Sequence, residues 1–153
     1  MRVEIWSDVV CPWRYIGKER FAKGLASFPH QDEVEVVFRS FELDPQHPTG
    51  ETEPVVEVLA KKYGMSEAEA RQAEQHFAET ARAEGLGFLG QDRDRGNTFA
   101  IHRLLHSAKT KGLQDELMNL IFNAHFAEER SVFDRERLLE LAVAAGLDQD
   151  EAD

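Results

Sequence analysis

The chain has 153 residues, 42% of them hydrophobic, and a formal net charge of −11 from 29 acidic and 18 basic side chains. That size and composition suit one domain, or one domain carrying a large insertion, and exclude collagen, coiled-coil and fully disordered chains. So acidic a surface repels phosphate backbones and anionic bilayers, so neither nucleic acid nor a membrane is an expected partner.

Residues 2 to 6, RVEIW, set Val3 and Ile5 on one side of a strand with Glu4 between them. This start is too short and too broken by charge for a signal peptide, and no later run reaches the roughly 18 apolar residues of a membrane span. A cytoplasmic protein is expected, and a lone cysteine agrees with a reducing compartment. The apolar character continues through Val9 and Val10 to that cysteine, Cys11. Pro12 suits the first position of a helix, where its missing N–H has no partner to lose. The helix runs on through YIGKERFAKGLASF, with Ile16, Phe21, Leu25 and Phe28 as inward candidates, and stops near Pro29.

EVEVVFRSFEL, 33 to 43, alternates Val34, Val36 and Phe38 against Glu35, Val37 and Arg39 and predicts a second strand. A strand, helix and strand with so long a crossover favour a parallel, right-handed β-α-β unit. Residues 44–54 predict a loop. Helices follow over 53–64, closing at Gly64, and over 66–85, opened by a capping box of Ser66 and Glu69. After a glycine-rich loop come 97–112, capped by Asn97 or Thr98, then 114–129, then 134–146 behind an Asp134 cap. Two parallel strands leave both edges open and offer little apolar face. Pairing with another chain, as a homo-oligomer or by exchange of elements between protomers, or else poor stability, is therefore expected.

The segment EIWSDVVCPWRYIGKERF resembles the active-site region of the DsbA-like branch of the thioredoxin superfamily, in its cytosolic FrnE-like subgroup. The related 2-hydroxychromene-2-carboxylate isomerases and kappa-class glutathione transferases share the layout. The likeness continues through FRSFELDP and NTFAIHRLLHSAK and covers essentially the whole chain. It implies an α/β fold: a thioredoxin-like β-α-β half over 1–50, then an all-helical DsbA-type insertion over 51–153. The C-terminal β-β-α half of such proteins, with its cis-proline loop, is absent from this sequence.

The resemblance also implies a thiol-disulfide oxidoreductase acting through Cys11, with Pro12 and Trp13 as the dipeptide that tunes the site. Arg14 stands where the family has its second, resolving cysteine. Asn97 and His102 are implied to line the substrate cleft. Protein thiols, disulfides or glutathione are the implied partners, with glutathione as a co-substrate and no bound cofactor. The alternatives are a glutathione-dependent isomerase or transferase, whose members usually have serine where Cys11 stands, and a catalytically degenerate binding domain.

The chemistry sets its own demands. A thiol attacks as its thiolate. The unpaired N–H groups and positive dipole end of a helix N-terminus favour that form, and Arg14, one turn along, adds a positive charge. A guanidinium there opposes the dipole at a cost of about 0.3–1 kcal/mol. Arg14 has no sulfur for a second attack, so a reactive Cys11 implies monothiol chemistry, completed only by an external thiol.

Other residues read more plainly. His102 and His106 share a helix face at the spacing of a two-histidine metal grip, but no third ligand accompanies them, so packing or surface roles are expected and no metal. His125 and Glu129 read as a solvated helix face, as do ETEPVVE and SEAEARQAEQ. GLGFLGQDRDRG lacks the lysine and hydroxyl of a phosphate-binding loop.

Overall fold

The computed structural model describes residues 1–148. The chain opens with β1 (Arg2–Ser7), α1 (Pro12–Ala26) and β2 (Glu35–Ser40). β1 and β2 pair in parallel, Arg2 opposite Glu35 and Ser7 opposite Ser40, as a helical crossover requires. β2 is shorter than its apolar pattern because a 3-10 turn at Gln31–Glu33 occupies the approach to it. α1 ends at Ala26 with Ser27 as its C-cap. Phe28 thus lies beyond the helix's periodic face and is 40% exposed, not inward as its spacing suggested.

The region read as loops holds a second sheet, in which β3 (Thr52–Pro54) pairs antiparallel with β4 (Asp94–Gly96). Five α-helices follow β3 among the described residues: α2 (Val55–Tyr63), α3 (Glu67–Ala83), α4 (Phe99–Thr110), α5 (Gln114–Phe122) and α6 (Arg135–Ala145). Their ends obey local chemistry. Ser66 accepts from the Glu69 amide while the Glu69 carboxylate takes the Ser66 amide, and Asp134 accepts from the Arg137 amide. Gly64 closes α2 at φ 64°, a left-handed conformation that costs glycine nothing.

Surface readings fail at several positions. Val55 and Val56 of ETEPVVE are buried, because β3 turns them under as α2 begins. The predicted helix over 114–129 breaks after Phe122 into a π-helical turn, Asn123–Ala127, which carries Ala124, His125 and Phe126 all inward. His125 is therefore 1% exposed and no part of a solvated face.

One core runs through both portions of the chain: Val9, Val10 and Ile16 pack in a single cluster with Leu105, Phe122 and Phe126. Tyr15 of α1 stacks on Phe126 at 4.8 Å and donates to the Gly87 carbonyl at 3.0 Å. A side chain at position 87 would strike Ala127, so glycine is what lets that loop approach. The β1–β2 sheet has no further strand among the described residues, and Trp6, Phe41 and Leu43 around it are each at least half exposed.

Candidate active site

Cys11 is the N-cap of α1, and Pro12 takes the first helical position. At φ −81° and ψ 119° its backbone is extended, and its carbonyl accepts from the amides of Arg14 (3.0 Å) and Tyr15 (3.4 Å). An N-cap side chain hangs over the first free N–H groups of its helix. The sulfur is free, half-buried and unused as a cap. Trp13 projects outward, 51% exposed, with its ring edge-on to Phe77 of α3 at 5.3 Å.

Arg14 turns inward. Its Nη1 donates to the Ser7 carbonyl at 2.8 Å, its Nη2 lies 3.3 Å from the Met118 sulfur, and the guanidinium sits over the Phe122 ring. Its Nε has no partner. Burial pushes the Arg14 pKa down to about 10, against the opposing pull of Asp8 and Cys11. The group remains a cation at neutral pH and feels both neighbours.

Asp8, three residues before Cys11, is 2% exposed and accepts from four donors. These are the amides of Val9 (2.8 Å) and Leu43 (2.7 Å), Thr98 Oγ1 (3.2 Å) and His102 Nε2 (3.0 Å). A buried carboxylate needs such company, since without it the desolvation cost stands uncompensated. His102 is thereby joined to the loop that leads to Cys11. It also lines a cleft of about 440 Å3 with Ser40, Glu42, Phe99, Arg103 and His106. Asn97 is engaged at both ends of its amide, donating to the His47 carbonyl at 2.7 Å and accepting from the Phe99 amide at 2.9 Å. It orders the start of α4. His106 points to Ser40 Oγ at 3.0 Å, and no group of three metal-ligating side chains occurs among the described residues.

On the other side of Val10 lies a buried ion pair that the sequence reading missed. Arg93 holds Glu74 through both carboxylate oxygens at 2.7 and 2.8 Å, with side chains 5% and 2% exposed. Glu74 thus departs from the solvated surface expected of SEAEARQAEQ. A signal for it existed: Ala70, Glu74, Ala78 and Ala81 form one buried row at helical spacing on α3. Arg93 Nη1 also reaches the Val10 carbonyl and His125 Nε2, both at 3.3 Å. Burial, and then the Arg93 charge, hold the His125 pKa well below its usual value, so the ring stays neutral.

A parallel β-α-β unit whose helix begins at a half-buried cysteine, joined through a common core to a helical layer, defines a thioredoxin-type half with a helical insertion. The chain belongs to the DSBA-like thioredoxin domain family, whose model matches residues 2–153. That places it in a thiol-disulfide oxidoreductase family. It is similar to the protein in the crystal structure of probable DsbA oxidoreductase SCO1869 from Streptomyces coelicolor, at 54% identity and a TM-score of 0.96 over 99% of this chain. It spans 65% of that chain's length. It is also 27% identical over 148 residues to the uncharacterised protein YwbO of Bacillus subtilis (strain 168), covering 97% of this chain and 68% of that protein. No described helix is long and apolar enough to cross a membrane.

Proposed function

We propose that the chain is a cytosolic monothiol thiol-disulfide oxidoreductase, with Cys11 as nucleophile and Arg14 in the resolving position. The observation that supports this most is the free, half-buried sulfur at the N-cap of α1, followed by Pro12. The Cys11 thiolate attacks one sulfur of a disulfide; that S–S bond breaks, a mixed disulfide forms on Cys11, and the other sulfur leaves as a thiolate that takes up a proton. An external thiol such as glutathione then attacks the mixed disulfide and regenerates Cys11. Trp13 borders the approach, and His102 steadies the loop through Asp8 beside the cleft it lines.

Incubation with oxidised glutathione should add a single glutathione to the chain, removed by reduced glutathione and absent from Cys11→Ser. Insulin should be reduced above background when glutathione is supplied. A native chain that forms no adduct and gives no insulin rate would leave a binding domain as the better reading.

The open strand edges and the exposed Trp6, Phe41 and Leu43 support a second element of the proposal: this face pairs with another chain, as with a second copy of this one. Light scattering that reports a compact monomer of 17.4 kDa would contradict pairing between copies.

A further inference from the structure

The peptide group joining Val10 to Cys11 is held at both of its polar atoms. Its carbonyl oxygen accepts from Arg93 Nη1 at 3.3 Å, and its N–H donates to the Asp8 carbonyl at 3.4 Å. A peptide group is planar and includes the Cα atoms on either side, so fixing both ends fixes the place of Cys11 Cα. We propose that Arg93 is a positioning residue for Cys11, holding the sulfur at the α1 N-terminus from within the helical portion. This rests on the reading of Cys11 as the nucleophile.

Arg93 is built for such a task. Its Nε and Nη2 are committed to Glu74 of α3, which locks the planar fork in one orientation. Its Cζ also lies over the Phe126 ring at 5.3 Å and the Phe88 ring at 5.8 Å, which packs aromatic side chains around the fork. The remaining nitrogen has two hydrogens and two acceptors, the Val10 carbonyl and His125 Nε2. Because Arg93 cannot accept, His125 presents its Nε2 lone pair and carries its proton on Nδ1. Three segments distant in sequence are thus tied to the carbonyl immediately before the sulfur: α3, the turn before β4, and the π-helical turn.

Two variants of the full chain test this. Arg93→Lys keeps a cation for Glu74 but has one nitrogen, which cannot reproduce the fork and also reach Val10. Glu74→Met/Arg93→Met removes both charges at similar volume, so that neither stays buried alone. In folded samples of both, Cys11 should react with iodoacetamide about tenfold more slowly at neutral pH, with a displaced pH profile. The Cys11 amide should exchange hydrogen about tenfold faster, with the α4 amides unchanged. Leu138→Ala, a core truncation in α6, should leave the Cys11 profile as in the wild type. Rates and exchange within about twofold of the wild type in the folded variants would overturn the proposal. So would a Cys11 amide in the wild-type protein that exchanges as freely as an unfolded chain. A wild-type alkylation profile equal to that of the urea-unfolded chain would instead sink the proposed function, and the variant-to-wild-type comparison would still decide Arg93.

Discussion

Glu74→Ala should cost about 3–5 kcal/mol of folding free energy, because it strands the Arg93 guanidinium in the core with its charge uncompensated. Glu74 is 1% exposed and Arg93 6%, so water cannot take over the lost carboxylate. A domain of this size has about 5–15 kcal/mol in total, so the variant stands near the edge of folding. The partner substitution should largely reverse the loss: Glu74→Met/Arg93→Met replaces the pair by apolar side chains of similar volume, an exchange often neutral or better. Urea denaturation with a constant slope measures both. A midpoint for Glu74→Ala close to the wild type would show that the pair contributes nothing.

The same titrations repeated against pH carry a second signature. His125 is neutral in the folded chain, since burial and Arg93 hold its pKa well below 6.5, whereas the unfolded chain protonates it near 6.5. The unfolded state then binds more protons below that value, so this group's contribution is complete above about pH 6.5 and is lost as the pH falls toward the folded pKa. Stability should therefore fall on the acid side well before the carboxylates titrate.

What could be read in advance was local. The Pro12 helix start, the Ser66–Glu69 capping box and the Asp134 cap each depend on side chains within about one turn of the backbone they serve. The parallel pairing of β1 with β2 follows from order and crossover length. What escaped depends on partners far away in sequence. β3 and β4 have three residues each, too few for any alternation to show, and each is a strand only because the other is there. Arg93 reads as one more charge in a polar, glycine-rich loop until Glu74 and Val10 are brought to it. His125 was read as exposed from its spacing to Glu129, although it falls three and four residues past Phe122 and Ile121 on the buried face of α5, so that signal was present and was passed over. The candidate site divides in the same way: Cys11 at the helix start was legible, whereas the inward path of Arg14 and the four donors on Asp8 were not.

Arg14→Cys should convert the site from one thiol to two, with the largest expected change in its chemistry. Residues three apart on a helix have Cα atoms about 5 Å apart, within the 4.4–6.8 Å span of disulfides. Cys11 is the N-cap, and an N-cap side chain lies over the amide of the residue three positions on, which here is position 14. The substitution also removes a cation whose pKa burial lowers to about 10, so the charged form is disfavoured where it sits. The bonds to Ser7 and Met118 go with it, so the two effects offset each other in stability. In function they do not. A second sulfur beside the first resolves a mixed disulfide from within, and an intramolecular attack outpaces an external thiol by on the order of a hundredfold or more. The glutathione adduct expected to persist on the wild-type chain should then be transient, and oxidation should remove both thiols together, as counted by mass and by thiol titration. An adduct as long-lived as in the wild type would mean that a side chain at position 14 cannot reach the sulfur of Cys11, and the resolving position would have to be sought elsewhere.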